Sequence, residues 1–182
     1  MTNDLKIGED KTLPKSTKWY STFYGRSLLA VIALCLTAIV LLEGSIIISG
    51  ETMFAGKRPT NLGVNAGKLA ACPNSPNCVN SQEQNELHKI APLTYTTPKT
   101  EAISKLKEVV NSLPKTKIIN ETEDYIYTEF ATPLMGFVDD VEFYFDDVAK
   151  VIHVRSASRL GESDLGVNRK RIESIRAQLN QL

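Results

Sequence analysis

An apolar run over residues 28–48, LLAVIALCLTAIVLLEGSIII, sets the strongest limit on how this chain can be organised. At about 1.5 Å per residue, a helix of this length spans roughly 30 Å, which matches the hydrocarbon core of a bilayer. Glu43 is its only charged residue. The run is apolar on all sides, whereas a helix at the surface of a soluble domain keeps one polar face. We therefore expect a single transmembrane helix over residues 28–48.

A cleaved signal peptide is the alternative, because residues 28–42 also fit the apolar core of such a peptide. No clear A-x-A cleavage pattern follows the run, and a long polar tail precedes it, which favours a retained anchor. Residues 1–27 contain five Lys or Arg and residues 49–68 contain three. Since cytoplasmic flanks are enriched in Lys and Arg, residues 1–27 are predicted to be a cytoplasmic tail and the C-terminal part to be periplasmic or lumenal.

Residues 49–71 are predicted to be a linker, because they contain four Gly and one Pro and show little apolar periodicity. In the alternative, Leu62, Val64 and Leu69 dock on the domain that follows. The chain has 21 Lys and Arg and 21 Asp and Glu, so its net charge is zero. This balance argues against nucleic acid as a partner, since phosphates are bound by a basic field.

Two cysteines, Cys72 and Cys78, bracket the residues PNSPN. Outside the cytoplasm this pattern predicts a disulfide. The two prolines restrict the backbone, and Ser75 and Asn77 are typical of side-chain-capped turns, so the motif loop is expected to be compact and rigid. A structural zinc site is the alternative, but it would need both His88 and His153 to complete four ligands. A reactive cysteine is disfavoured because the spacing is not C-x-x-C.

Apolar periodicity over residues 72–182 predicts an α+β domain. A helix is expected over residues 97–113, opened by a capping Thr97 and by Pro98. Alternation predicts strands near residues 117–119, 125–130, 141–145 and 151–156. A last helix is expected to begin with Asn168 as its N-cap. The predicted architecture is two-layered, with a three- or four-stranded antiparallel meander and two packing helices.

The loop between the last strand and the last helix holds the candidate binding residues, since loops at strand ends often carry function. Arginines that converge with free amides at the helix start would hold a phosphate, a sulfate or a carboxylate. The candidate ligand-binding residues are Arg155, Ser156, Ser158, Arg159, Asp164, Asn168 and Arg169.

A structural role is the alternative for these arginines, and it is favoured. Asp139 shares the parity of Val141 and is expected to point inward, where a carboxylate needs a partner. Arg155 and Arg159 would then pair with Asp139 or Asp140. In a further alternative, the acids of residues 139–147 form a solvated strand edge that guards against strand pairing.

The motif CPNSPNCV with Ser81, and the later segment RSASR followed by SDLGVNR, resemble the two signatures of a bacterial and plastid family known only as a domain of unknown function. The resemblance covers residues 69–182. It implies a membrane-attached or exported protein, and it implies no catalytic residue or cofactor. We further expect the two signature segments to meet in space, because both are rigid and polar.

Two functions follow as hypotheses. The first is a non-enzymatic envelope module, anchored in the bilayer, that binds or assembles with a protein partner or a small anionic ligand. The second is an envelope hydrolase or transferase with Asp164 or Asp139 as general base and the arginines as anion holders. No catalytic motif supports the second, and no metal or cofactor is expected. A domain that carries lipid would need an apolar cavity.

Overall fold

The computed structural model describes residue 28, residues 30–38 and residues 54–182. Residues 30–38 are helical. Within these described residues, no helix is long and apolar enough to cross a membrane. Most of the expected transmembrane helix over residues 28–48, and all of the tail over residues 1–27, lie outside them. The chain divides into the units Met1–Gly50 and Glu51–Leu182, and the second unit holds the sheet.

The second unit is an antiparallel sheet with helices packed on one face, which confirms the α+β class. Its strands lie in the order β1-β6-β5-β4-β3, and β2 also pairs with β6. In chain order the elements are β1 (Cys78–Asn80), β2 (Leu93–Thr94), α1 (Lys99–Ser112), β3 (Thr116–Glu121), β4 (Tyr125–Ala131), β5 (Val138–Asp146), β6 (Val151–Ser158) and α2 (Val167–Leu179).

Strands β3 to β6 form the expected meander, since each pairs with its neighbour in the chain. The sequence missed β1 and β2. Both are too short to show alternation, and β1 lies inside the cysteine motif. Both occupy the same edge of β6, one near each of its ends.

The helices cover the sheet face that carries the alternating apolar residues of β4, β5 and β6. Leu106 of α1 and Ile172 of α2 are fully buried there with Phe143 of β5. The described helix starts differ from the expected ones. Pro98, not Thr97, is the N-cap of α1, and among the described residues no side chain caps that helix. Leu182, which follows α2, is 53% exposed.

The opposite face of the sheet is covered by residues 54–71, which we call the strap. Leu69 packs with Tyr125 and Tyr127, and Leu62 packs against this cluster. The Gly63 amide donates a hydrogen bond of 2.7 Å to the Glu142 carboxylate. The contacts of Leu62 and Leu69 support the docking alternative for these residues, whereas Val64 remains 37% exposed.

We predict that Leu106→Ala lowers the free energy of unfolding by about 2–5 kcal/mol, because it removes buried methyl groups and leaves a cavity between α1 and the sheet. Urea denaturation followed by circular dichroism measures the change. Val148→Ala is the matched control, since Val148 is 98% exposed in the β5–β6 turn. Equal stabilities for the two variants would contradict the packing described here.

Candidate functional site

The two signature segments meet at one end of the sheet. Strand β1 pairs with β6 so that Cys78 lies opposite Ala157 and Asn80 opposite Arg155. The Arg159 amide, just after β6, donates to the Val138 carbonyl at 3.1 Å, which brings the β4–β5 turn to the same place. We call this part of the domain the loop end; it comprises residues 72–78, 132–137 and 159–166. The expectation that the signatures meet is confirmed.

Cys72 and Cys78 form the expected disulfide, with their Cα atoms 5.7 Å apart. Cys78 is fully buried, so the bond fixes the motif loop to the edge of the sheet. With the two sulfurs bonded to each other, neither is a thiolate ligand for zinc. Throughout residues 28, 30–38 and 54–182, no group of three His, Cys, Asp or Glu is placed to hold a metal ion.

Asn77 joins the motif loop to the second signature segment. Its Nδ2 donates to the Gly161 carbonyl at 2.6 Å, and the Ser75 hydroxyl donates to its Oδ1 at 2.8 Å. Its backbone carbonyl accepts hydrogen bonds from the Ser158 amide and from Asn168 Nδ2, each at 3.0 Å. Both predicted motif-loop residues therefore act in the junction between the signatures.

Asn168 is not the N-cap of α2 but the centre of a buried polar cluster beneath it. Its Nδ2 also donates to the Ser158 hydroxyl at 3.0 Å, and its Oδ1 accepts from the Ser156 hydroxyl at 2.5 Å and from Arg171 Nη1 at 2.6 Å. Because Asn168 is fully buried, these partners satisfy a side chain that would otherwise be costly to bury. The N-cap prediction was wrong because Gly166, in the left-handed conformation, holds that position.

Asp139 faces the helices, as its parity predicted, but its partner is Arg171 rather than Arg155 or Arg159. Both side chains are almost fully buried. The Arg171 guanidinium also lies 4.7 Å from the ring centroid of Phe130. A buried carboxylate is thus paired with an arginine that the sequence did not single out.

Asp164 occupies the amides at the start of α2. Its carboxylate accepts hydrogen bonds from the Gly166 amide at 2.9 Å and from the Asn168 amide at 2.7 Å. These are the donors that a bound anion would use. The anion position expected at the helix start is therefore filled by the chain's own carboxylate.

On the strap face, Arg159 is held by two acids. Its Nε donates to both oxygens of Asp140, at 3.1 and 3.0 Å, and its Nη2 donates to Asp140 at 2.7 Å. Nη2 also contacts Glu129 and the Tyr127 hydroxyl. The Arg159 side chain is 6% exposed and that of Asp140 is 1% exposed. This pair confirms the favoured structural role for Arg159.

Arg155 pairs with Glu142 at 3.2 Å, not with Asp139 or Asp140. Glu142 is fully buried and also accepts hydrogen bonds from the Tyr125 hydroxyl at 2.8 Å and from the strap amide of Gly63. Arg155 Nε is buried and has no hydrogen-bond partner among the residues that the structure describes. Since Asp139, Asp140 and Glu142 are all buried, the idea that they form a solvated strand edge was wrong.

Arg169 has different partners again, the carbonyls of Leu87 and Lys89 at 3.1 and 2.7 Å. Arg155, Arg159 and Arg169 therefore have three separate sets of partners and do not share one ligand position. Arg169 instead ties α2 to the loop that follows β1.

The sequence missed Glu129, Tyr127 and the strap residue Arg58. Arg58 pairs with Glu129 at 2.6 Å and lies 5.9 Å from the ring centroid of Tyr127. Burial by itself raises the pKa of Glu129, but hydrogen bonds from Arg159, Arg58 and Tyr127 outweigh it and lower that pKa. The alternation of side chains along β4 could have revealed Tyr127 and Glu129, because both lie on the face opposite Ile126.

A family model described as a protein of unknown function, DUF1499, matches residues 68–179. The chain belongs to this family. The matched residues include both signature segments, the whole sheet and both packing helices. Among curated proteins, the comparison finds no match.

The loop end of the DUF1499 domain exposes large apolar side chains, whereas charged side chains are buried in the interior of the domain. Leu134 is 94% exposed in the β4–β5 turn, and Leu165 is 86% exposed just before α2. Beside them, a groove of about 240 Å³ is lined mainly by apolar residues, including Pro114, Phe130 and Val167. At this end Arg159 and Asp164 are engaged by other groups of the chain, whereas Leu134 and Leu165 face outward.

We predict that Arg159→Ala lowers the free energy of unfolding by about 3–5 kcal/mol, because it leaves the buried carboxylate of Asp140 without its partner. Urea denaturation measures the loss. Lys170→Ala, which removes an exposed cation from α2, is the control and is expected to change stability little. An Arg159→Ala domain as stable as the control would show that the ion pair is not needed for folding.

His153 provides a second prediction, which concerns pH. It stacks on Tyr144, and its Nδ1 lies 3.3 Å from the Ser81 hydroxyl oxygen. Burial lowers the pKa of His153. The unfolded chain therefore binds a proton at higher pH than the folded one. Stability is fully present above about pH 6.5 and decreases as the pH falls through the lowered pKa.

His153→Gln is expected to reduce this pH dependence, because glutamine does not titrate. The measurement is the free energy of unfolding of both proteins at about pH 7.5 and about pH 5.5. The stability difference between the two pH values should be smaller in the variant. An unchanged difference would assign the pH dependence to other groups.

Proposed function

We propose that this chain is a membrane-anchored envelope module whose DUF1499 domain binds a partner outside the cytoplasm. In this proposal residues 28–48 cross the bilayer, residues 1–27 are cytoplasmic, and the domain is periplasmic or lumenal. The Cys72–Cys78 disulfide supports this location, because disulfides persist in oxidising compartments and are rare in the cytosol.

One observation carries the proposal of binding rather than catalysis. At the loop end, Arg159 is paired with Asp140 and Asp164 accepts two backbone amides of the chain, while large apolar side chains such as Leu134 and Leu165 face solvent. A patch of exposed apolar side chains is typical of an interaction surface.

The catalytic alternative gains no support from the site. Asp164 accepts hydrogen bonds from the Gly166 and Asn168 amides, and Asp139 is paired with Arg171, so both carboxylates are already engaged within the chain. Arg155 and Arg159 are likewise engaged by buried acids. A small anionic ligand would have to displace these internal carboxylates, which makes an apolar contact the better-supported mode of binding.

The location is tested by labelling single cysteines in the full-length chain, in a Cys35→Ser background. A membrane-impermeant maleimide is added to spheroplasts of the expressing cells. We expect Val148→Cys to be labelled directly, because Val148 is 98% exposed in the domain. Thr17→Cys, in the N-terminal tail, should be labelled only after detergent opens the membrane.

The opposite labelling pattern would reverse the proposed orientation. Recovery of the chain in the soluble fraction, shortened at its N-terminus, would replace the anchor by a cleaved signal peptide. Cys72 and Cys78 provide an internal check on the denatured chain, since outside the cytoplasm they should react with maleimide only after reduction.

A further inference from the structure

We infer that the loop end docks on the lipid surface of the bilayer, so that the domain rests on the membrane by its apolar loops. This inference rests on the proposed function, because it takes residues 28–48 as the anchor. The partner of the loop end is then the boundary between the headgroups and the hydrocarbon of the lipid layer. Four observations support it.

The first observation is where the exposed apolar side chains lie. Six of them belong to the loop end or border it: Phe54, Leu134, Met135, Leu160, Leu165 and Val167. They come from three separate stretches of chain that the fold brings together: residue 54, residues 134–135 and residues 160–167. Exposed leucines and aromatic residues on neighbouring loops match the side chains that enter the interface of a bilayer.

The second observation is that the two most exposed of these side chains are presented by ordered turns. In the β4–β5 turn that carries Leu134, the Thr132 amide donates to the Phe137 carbonyl at 2.8 Å, and the Gly136 amide donates to the Thr132 carbonyl at 3.1 Å. Leu165 has a φ of 54° and lies just before Gly166, whose amide is held by the Asp164 carboxylate.

A leucine at positive φ is unfavourable, since glycine or asparagine adopts that conformation at lower cost. Burial in the domain does not offset this cost at Leu165, because the side chain is 86% exposed. Contact with lipid gives this position an energetic reason to be apolar.

The third observation is where the chain enters the domain. Phe54 lies against Phe137 of the β4–β5 turn, with 5.2 Å between the ring centroids. Only residues 49–53 separate the end of the apolar run from Phe54. Even fully extended, the chain from Ile48 to Phe54 spans no more than about 20 Å. An anchor over residues 28–48 thus keeps the loop end within reach of the lipid surface.

The fourth observation is the mixed charge near the loop end. Lys115 and Glu162 are both exposed there. The Lys115 carbonyl accepts a hydrogen bond from the Ala131 amide, which places this residue beside the end of β4. With both signs of charge present, contact with lipid is expected to depend on the apolar side chains and little on anionic headgroups or on salt.

The test uses the full-length chain reconstituted in phosphatidylcholine vesicles, with single cysteines carrying an environment-sensitive fluorophore. Leu165→Cys and Val148→Cys, each in a Cys35→Ser background, report on the loop end and on the turn at the other end of the sheet. We expect a blue-shifted emission at position 165 and iodide quenching roughly fivefold weaker than at position 148. Lipids with a quencher in the acyl chain should quench position 165 and not position 148.

A second pair of variants tests whether the contact depends on apolar side chains. With the fluorophore at Leu134→Cys, a Leu165→Glu substitution should raise iodide quenching toward the value at position 148. Val148→Glu, which adds the same charge at the opposite end, should leave it unchanged. Equal effects of the two substitutions would overturn the inference.

A chain labelled only at its native Cys35 distinguishes failure of this inference from failure of the proposed function. Lipid quenching at Cys35 together with free iodide access at position 165 would overturn the docking of the loop end and leave the anchor in place. Iodide access at Cys35 would overturn the anchor itself. Protection of position 165 in cells but not in vesicles would also reject the bilayer as the partner and assign the surface to a protein.

Discussion

The burial of carboxylates between the sheet and the strap is the interaction on which the rest of this structure depends. Asp140 and Glu142 lie in the central strand β5, and neither has appreciable solvent contact. A buried charge is tolerated only when it is paired and hydrogen-bonded, and here Arg159 and Arg155 supply the pairs. The strap completes the arrangement with the Gly63 amide and the Arg58 guanidinium.

Both faces of the sheet are consequently covered, each in a different way. The helices bury an apolar face, and under the start of α2 the Asn168 cluster and the Asp139–Arg171 pair fix the second signature segment. The strap buries a polar face. Both faces of the sheet are buried and stabilise the domain. The loop end, in contrast, exposes side chains that the stability of the domain does not require. Binding is proposed at that end for this reason.

Sequence reasoning was most accurate where one face of a strand is apolar. The parity of β5 placed Asp139 toward the helices, and the alternation of β4 to β6 predicted the meander. It placed Arg159 beside Asp140 but failed for the partners of Arg155 and Asp139, because a long arginine side chain can reach acids on several strands. Arg155 and Glu142 are opposite each other in the register of β5 and β6, but only the observed pairing of strands makes them neighbours. The residues of the strap were predicted to be a linker because they are rich in glycine. Glycines also allow a chain to lie close on a sheet, which is what the structure shows for this segment.

The sequence by itself determined the α+β class, the disulfide, the polar signature segments and the apolar run over residues 28–48. These properties are written in local spacing and composition, so a few neighbouring residues suffice to reveal them. Only the tertiary structure decided that the arginines are bound by internal acids and that the exposed leucines of separate loops share one end of the domain. Both depend on contacts between residues far apart in the chain, and those contacts are fixed by strand register and by the path of the strap rather than by any local pattern.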